Sequence, residues 1–169
     1  MTTTPDPVDT WIDAWRTELP ESVFASTELT KRILFLSAEL EAVMRRRLGD
    51  FQLTPAEFDV LTALRRSGEP YRMKPNRLAR VLMLSTGGTT NVTHRLVARG
   101  LVEREADPED ARSTWLRLTP EGVDTAERAV VTVGQATQSD LFDGAPTELV
   151  DKATDTLREL FAASPRLRE

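Results

Sequence analysis

The sequence predicts a mainly α-helical fold with a small β component, a winged helix-turn-helix flanked at both ends by long helices. Three observations carry this prediction. Two short helical segments, Pro75–Leu82 and Thr86–Arg99, are separated by a tight break around Leu84-Ser85. Two strand-like segments, Leu101–Glu105 and Ser113–Leu118, follow directly and flank a turn-rich tip, Ala106–Arg112. Stretches with apolar residues at helical spacing lie on either side.

Each element has a local cause. Residues 1–9 are polar, hold two prolines and read as a frayed tail. Trp11 to Leu19 is a short amphipathic stretch that Pro20 ends. From Glu28 to Leu48, apolar residues at Leu29, Ile33, Leu34, Leu36, Leu40, Val43, Met44 and Leu48 fit a long helix with an apolar stripe, and Gly49 stops the helix. Thr54-Pro55-Ala56-Glu57 is a helix-start signature. Thr54 caps, proline takes a position where no N–H is needed, and Glu57 reaches back to the cap. That helix carries Phe58, Leu61 and Leu64 as far as Ser67-Gly68. Tyr71–Lys74 is at most a minimal strand. In Pro75–Leu82, Leu78, Val81 and Leu82 face inward. Ser85 is placed to cap the following helix, which Gly100 ends in the left-handed conformation open to glycine. Thr119-Pro120-Glu121 repeats the start signature and opens a helix to about Asp140. Asp143–Pro146 breaks it, and a last helix runs from Thr147 to about Ala162.

The 169 residues are 40% hydrophobic and 29% charged, a globular composition. Cysteine is absent and His94 is the only histidine, which excludes disulfides, thiolate catalysis and Cys/His metal sites. No nucleophile and base stand in a catalytic arrangement, so neither enzyme activity nor a metal or cofactor is expected. No apolar run approaches the ~20 residues of a membrane span, and no signal-peptide core is visible. A cytoplasmic protein is expected. The net charge of −5 hides a division: between Arg65 and Arg117 eleven basic side chains stand against six acidic ones, and elsewhere eleven against twenty-one. Fields act over about a Debye length, ~10 Å at 0.1 M salt, so a basic middle can meet phosphates whatever the total.

Within Thr86–Arg99, Val92, Leu96 and Val97 point inward with Thr89 and Thr93 beside them. The complementary face holds Gly87, Thr90, Asn91, His94, Arg95 and Ala98. Asn91 can pair bidentately with adenine, Thr90 can touch a thymine methyl, and Arg95 can reach guanine or a phosphate. Gly87-Gly88 costs the helix about 1 kcal/mol per glycine relative to alanine. In return, bare backbone N–H groups at the helix start, beside Ser85 and Thr86, approach a phosphate closely.

Leu53–Leu61, Leu84–Asn91, Arg95–Val102, Asp107–Arg112 and Leu118–Gly122, in that order, make the chain resemble the MarR family of transcription regulators from about Glu28 to Phe161. The resemblance implies a homodimer whose interface is built by residues 28–50 and 120–163. It implies a DNA-binding module at 51–119, preceded by a tail and extra short helix at 1–27. The partner it implies is double-stranded DNA carrying a pseudo-palindromic operator, with repression the expected outcome. The alternative is a winged-helix protein-interaction module, which acidic or apolar residues on the exposed helix face would mark. At the wing tip, Asp110 and Arg112 match the family's Asp-x-Arg element, in which the carboxylate orients the guanidinium for the minor groove. The family's second arginine is replaced by Ala111.

The Trp15-x-x-x-x-Pro20 helix and the Ser85–Asn91 stretch are similar to the family's urate- and purine-responsive branch. That similarity implies release of DNA by a small aromatic or anionic effector, with Trp15, Asp59 and Arg104 at the matching positions. The branch's arginine on the recognition helix falls on Val92, a departure that removes one charge-assisted hydrogen bond, ~1.5–3 kcal/mol. Asp59 has two other readings, an ordinary exposed helix residue or a brace that pairs with Arg104 to hold the wing.

Overall fold

The computed structural model describes residues 5–83, 86–108, 110 and 113–164. Its order is α1 (Pro7–Glu18), α2 (Ala25–Leu48), α3 (Pro55–Arg65), β1 (Arg72–Met73), α4 (Pro75–Val81), α5 (Thr86–Ala98), β2 (Val102–Ala106), β3 (Thr114–Leu118), α6 (Pro120–Leu141) and α7 (Thr147–Ala163). Single 3-10 turns lie at Pro20–Ser22 and Gly49–Phe51. The predicted fold class holds: a mostly helical chain with one small antiparallel sheet.

The tail reading of residues 1–9 needs correction, because helix begins at Pro7. The Asp6 carboxylate accepts from the N–H groups of Val8 (2.8 Å) and Asp9 (3.2 Å), and Asp9 accepts from the N–H of Asp6 (2.8 Å). Pro7 occupies the first position, where its missing N–H costs nothing. Arg32 of α2 then holds Asp6 and Asp9 together, and Val8 and Ile12 bury against the chain. The same box appears where it was predicted, at Thr54 and Glu57. α2 starts three residues before Glu28, with the Thr27 hydroxyl accepting the N–H of Phe24 (2.9 Å).

One core unites the winged module with its neighbours. Leu61, Leu64, Leu78, Leu96 and Leu116 are fully buried together with Leu48 from the end of α2 and Ala126 and Ala129 from the first half of α6. The sheet has the order β1-β3-β2, antiparallel throughout, with Met73 opposite Leu116 and Val102 opposite Leu118. Gly100 ends α5 at φ +71°, as expected. The start of α6 is pressed onto this corner. The Thr119 hydroxyl donates to the Gly100 carbonyl (2.7 Å), and a Cβ on Gly122 would lie 1.9 Å from the Leu101 carbonyl oxygen. Only glycine allows that approach.

Beyond this core the helices bury little. Among the described residues α7 has no buried side chain, and Phe24, Leu34, Val131, Leu149 and Phe161 are exposed. No described helix is long and apolar enough to cross a membrane.

Candidate nucleic-acid interface

α5 divides as its periodicity predicts. Thr89, Val92, Thr93 and Leu96 are buried, and Gly87, Gly88, Thr90, Asn91, His94, Arg95 and Ala98 are exposed. Thr86 opens the helix, and Ser85 lies outside the described residues. A polar face of short side chains at the N-terminal half, with cations further along, is thus backed by an apolar seat.

Arg95 is not a loose cation. Its Nε donates to Glu57 Oε1 (2.9 Å), while Glu57 Oε2 accepts from the Thr54 N–H (2.8 Å) and hydroxyl (2.9 Å). Both oxygens of one carboxylate, only 5% exposed, therefore serve the cap of α3 and the recognition helix together. Burial pushes the Glu57 carboxyl up, but the bonds from Thr54 and the Arg95 guanidinium outweigh it and hold the group below the usual carboxylate range. A guanidinium gripped at Nε is preoriented at its outer nitrogens, which suits a phosphate or a guanine edge. Arg99 is spent differently, donating to the backbone carbonyls of Gln52 (2.8 Å) and Phe51 (3.1 Å).

α4 adds two cations to which sequence reasoning assigns no role. Arg77 and Arg80 are exposed and form no ion pair among the described residues. A signal for them exists: two arginines one turn apart, opposite Leu78, on the first helix of the helix-turn-helix. That helix conventionally crosses the DNA backbone. At the wing, Asp107 N–H donates to the Ser113 carbonyl (3.1 Å) and Ser113 N–H to the Asp110 carbonyl (2.9 Å), closing the neck of the tip. Arg112 lies outside the described residues, as does Ala111.

Between α5 and the sheet, Pro75, Thr90, Thr93, His94, Arg104 and Leu116 line a cavity of about 160 Å³. Arg104 stands opposite Leu116 in the register, so it leaves the sheet on the side of α5. Asp59 and Arg104 form no ion pair among the described residues. Asp59 is exposed on α3, and the partial desolvation by neighbouring atoms that pushes its carboxyl up is opposed by Arg66. Trp15, 47% exposed, sits on α1. The single chain therefore gathers Trp15, Asp59 and Arg104 into no common cavity among the described residues, and only Arg104 lines this one.

Comparison with known proteins agrees with this geometry. A MarR family model matches residues 51–113, from the last residue of the 3-10 turn after α2 to the residue before β3. The HTH-type transcriptional regulator PecS of Dickeya dadantii is 30% identical over 119 residues, 70% of this chain and 72% of that protein. A mutant of MarR from E. coli, in complex with operator DNA, superposes with a TM-score of 0.68 at 25% identity, covering 86% of this chain and 96% of that one. BpsR of Bordetella bronchiseptica, whose DNA binding is regulated by 6-hydroxynicotinic acid, superposes with a TM-score of 0.67 at 27% identity over 82% of this chain and 96% of its own. With PecS 30% identical over 70% of this chain, and the helix-turn-helix and wing in place, the chain belongs to the MarR family of winged helix-turn-helix transcriptional regulators.

Proposed function

We propose that the protein is a homodimeric repressor that occupies a pseudo-palindromic operator and leaves it when a small aromatic or anionic ligand binds. The observation that carries the reading is the exposed polar face of α5, backed by a buried apolar one and flanked by the exposed arginines of α4. Residues 51–119 form the DNA-binding module. Ser85, Thr86, Gly87 and Gly88 take a phosphate at the helix start, Thr90, Asn91, His94 and Arg95 face the major groove, and Asp110 with Arg112 enters the minor groove. Residues 28–50 and 120–163 supply the dimer interface, supported by the exposed apolar side chains of α2, α6 and α7. A two-fold dimer then sets half-sites about 34–36 Å apart. The cell compartment that fits such a role is the cytoplasm.

The effector we infer is an aromatic acid held by Arg104 and His94 in the cavity beside α5, where it competes with the DNA-facing surface. The 6-hydroxynicotinic acid that regulates DNA binding by BpsR is of that class. A purine anion is a poorer fit, because Val92 is buried and offers no cation. Trp15 and Asp59 join the site only if the partner subunit brings them near. The test is a gel-shift titration on an operator selected from random duplexes. Asn91→Ala and Arg112→Ala are expected to lower affinity at least tenfold each while leaving the dimer intact, and unchanged affinity in both removes the interface. Adding 6-hydroxynicotinic acid or salicylate, and separately urate or xanthine, to the wild-type complex ranks the ligand classes.

A further inference from the structure

The outer face of the wing sheet carries an arrangement that DNA reading alone does not call for. Strand alternation sends Met73, Leu116 and Leu118 to the core and sets Arg72, Trp115, Arg117, Glu103 and Glu105 on the opposite face. Trp115 stands at its centre. The Arg72 guanidinium carbon lies 4.6 Å from the ring centroid and the Lys74 ammonium 4.3 Å. Arg72 also pairs with Glu105, the cross-strand neighbour of Trp115. The indole Nε1 is buried and finds no hydrogen-bond partner among the described residues. The ring presents its π surface to both cations, which it attracts electrostatically.

Lys74 reaches further than the ring. It is the N-cap residue directly before α4, and its ammonium bonds both Asp107 and Ser113. Those two residues close the neck of the wing tip through their own backbone bond. One side chain therefore joins the root of α4, the outer face of the sheet and the base of the tip. Lys74 is 24% exposed and Asp107 12%, so salt screens their contact weakly.

We propose that Lys74 is a positioning residue for DNA binding: seated on Trp115 and bonded to Asp107 and Ser113, it fixes the base of the wing tip against the sheet. The proposal rests on the DNA-binding reading above. A tip ordered in advance loses less freedom when the groove closes on it, and that difference appears as affinity. Trp115 serves by holding the lysine stem, and Arg72 by holding Glu105 beside it.

The experiment uses the full-length protein and an operator selected by the wild type. Lys74→Met keeps the stem against Trp115 and removes the ammonium, Asp107→Asn weakens the pair from the other side, and Lys74→Arg restores a cation. Lys74→Met and Asp107→Asn are each expected to weaken operator binding about tenfold, with Lys74→Arg recovering most of it. Hydroxyl-radical protection beneath the wing is lost, while methylation protection in the major groove under α5 persists. The direction for Asp107→Asn is decisive: removing a negative charge near phosphates tightens binding if only the field matters, and loosens it if the residue positions the tip. Affinity unchanged or raised in Asp107→Asn overturns the proposal, even if Lys74→Met fails to fold. A salt slope reduced by about one with both footprints kept makes Lys74 a phosphate contact and also overturns it. If the wild type selects and protects no operator, the DNA-binding reading fails first and this one with it.

Discussion

The winged module and the helical arms are built to opposite rules. Within the module, Leu61, Leu64, Leu78 and Leu96 are wholly buried by residues of the same chain. In the arms, α7 buries nothing, Leu149 is 59% exposed and Phe161 53%. Yet α7 is capable of helix formation and carries its apolar residues on one side, at Leu149, Ala153, Leu157 and Leu160, which face Leu29, Ile33 and Leu36 of α2 across an open groove. A reader of DNA must hold its own shape. The arms instead leave an apolar surface uncovered, the surface on which the proposed dimer rests.

The sharpest way to break this contrast is to charge the arms. Leu157→Glu with Phe161→Glu is expected to halve the mass seen by light scattering. Loss of simultaneous engagement of two half-sites then lowers operator affinity by about 10²–10⁴-fold. A double variant that remains dimeric and binds normally ends the case for the arms as the interface.

A smaller effect, and one independent of protein concentration, belongs to the module. Helix propensity alone says Gly122→Ala stabilises α6, by up to about 1 kcal/mol. The Leu101 carbonyl oxygen, 1.9 Å from the place of the new Cβ, says the reverse. Overpacking of this kind costs about 1–3 kcal/mol or more, so denaturant titration should show net destabilisation at every concentration tested. A stabilised variant would mean that α6 moves off the corner freely.

How legible these regions are in the sequence follows the range of the interactions involved. Local chemistry is readable: the Thr54 and Thr119 starts, the Gly100 stop and the two faces of α5 each depend on residues within a turn or two. Asp6-Pro7-Val8-Asp9 is the same kind of start signature. It reads as tail because an aspartate stands in place of the usual glutamate, inside a polar stretch that holds two prolines. Contacts across the chain are not readable. Glu57 is legible as a cap partner, but its grip on Arg95 joins residues 38 positions apart. Trp115 reads simply as a strand residue, because nothing local reveals that Arg72 and Lys74 converge on its ring. The wing-tip Arg112 and the cap Ser85 rest on pattern alone, and both fall outside the described residues.

The finest test of the contrast lies inside α3, where two carboxylates two positions apart are pushed opposite ways. The folded chain holds Glu57 below its unfolded value, so the stabilisation it brings is present above the ordinary glutamate range and disappears as pH falls through the folded value. Asp59, though exposed, is pushed slightly above its unfolded value by partial desolvation, so its charge works weakly against folding at neutral pH and that small cost is relieved on acidification. Glu57→Gln should therefore lower stability at pH 7 and flatten the acid limb of a stability profile. Asp59→Asn should raise stability at pH 7 slightly, by at most about 0.5 kcal/mol, because solvent and Arg66 offset part of the cost. Equal responses at the two sites would mean that the tie between Glu57 and Arg95 contributes nothing, and that the recognition helix is held by its apolar seat alone.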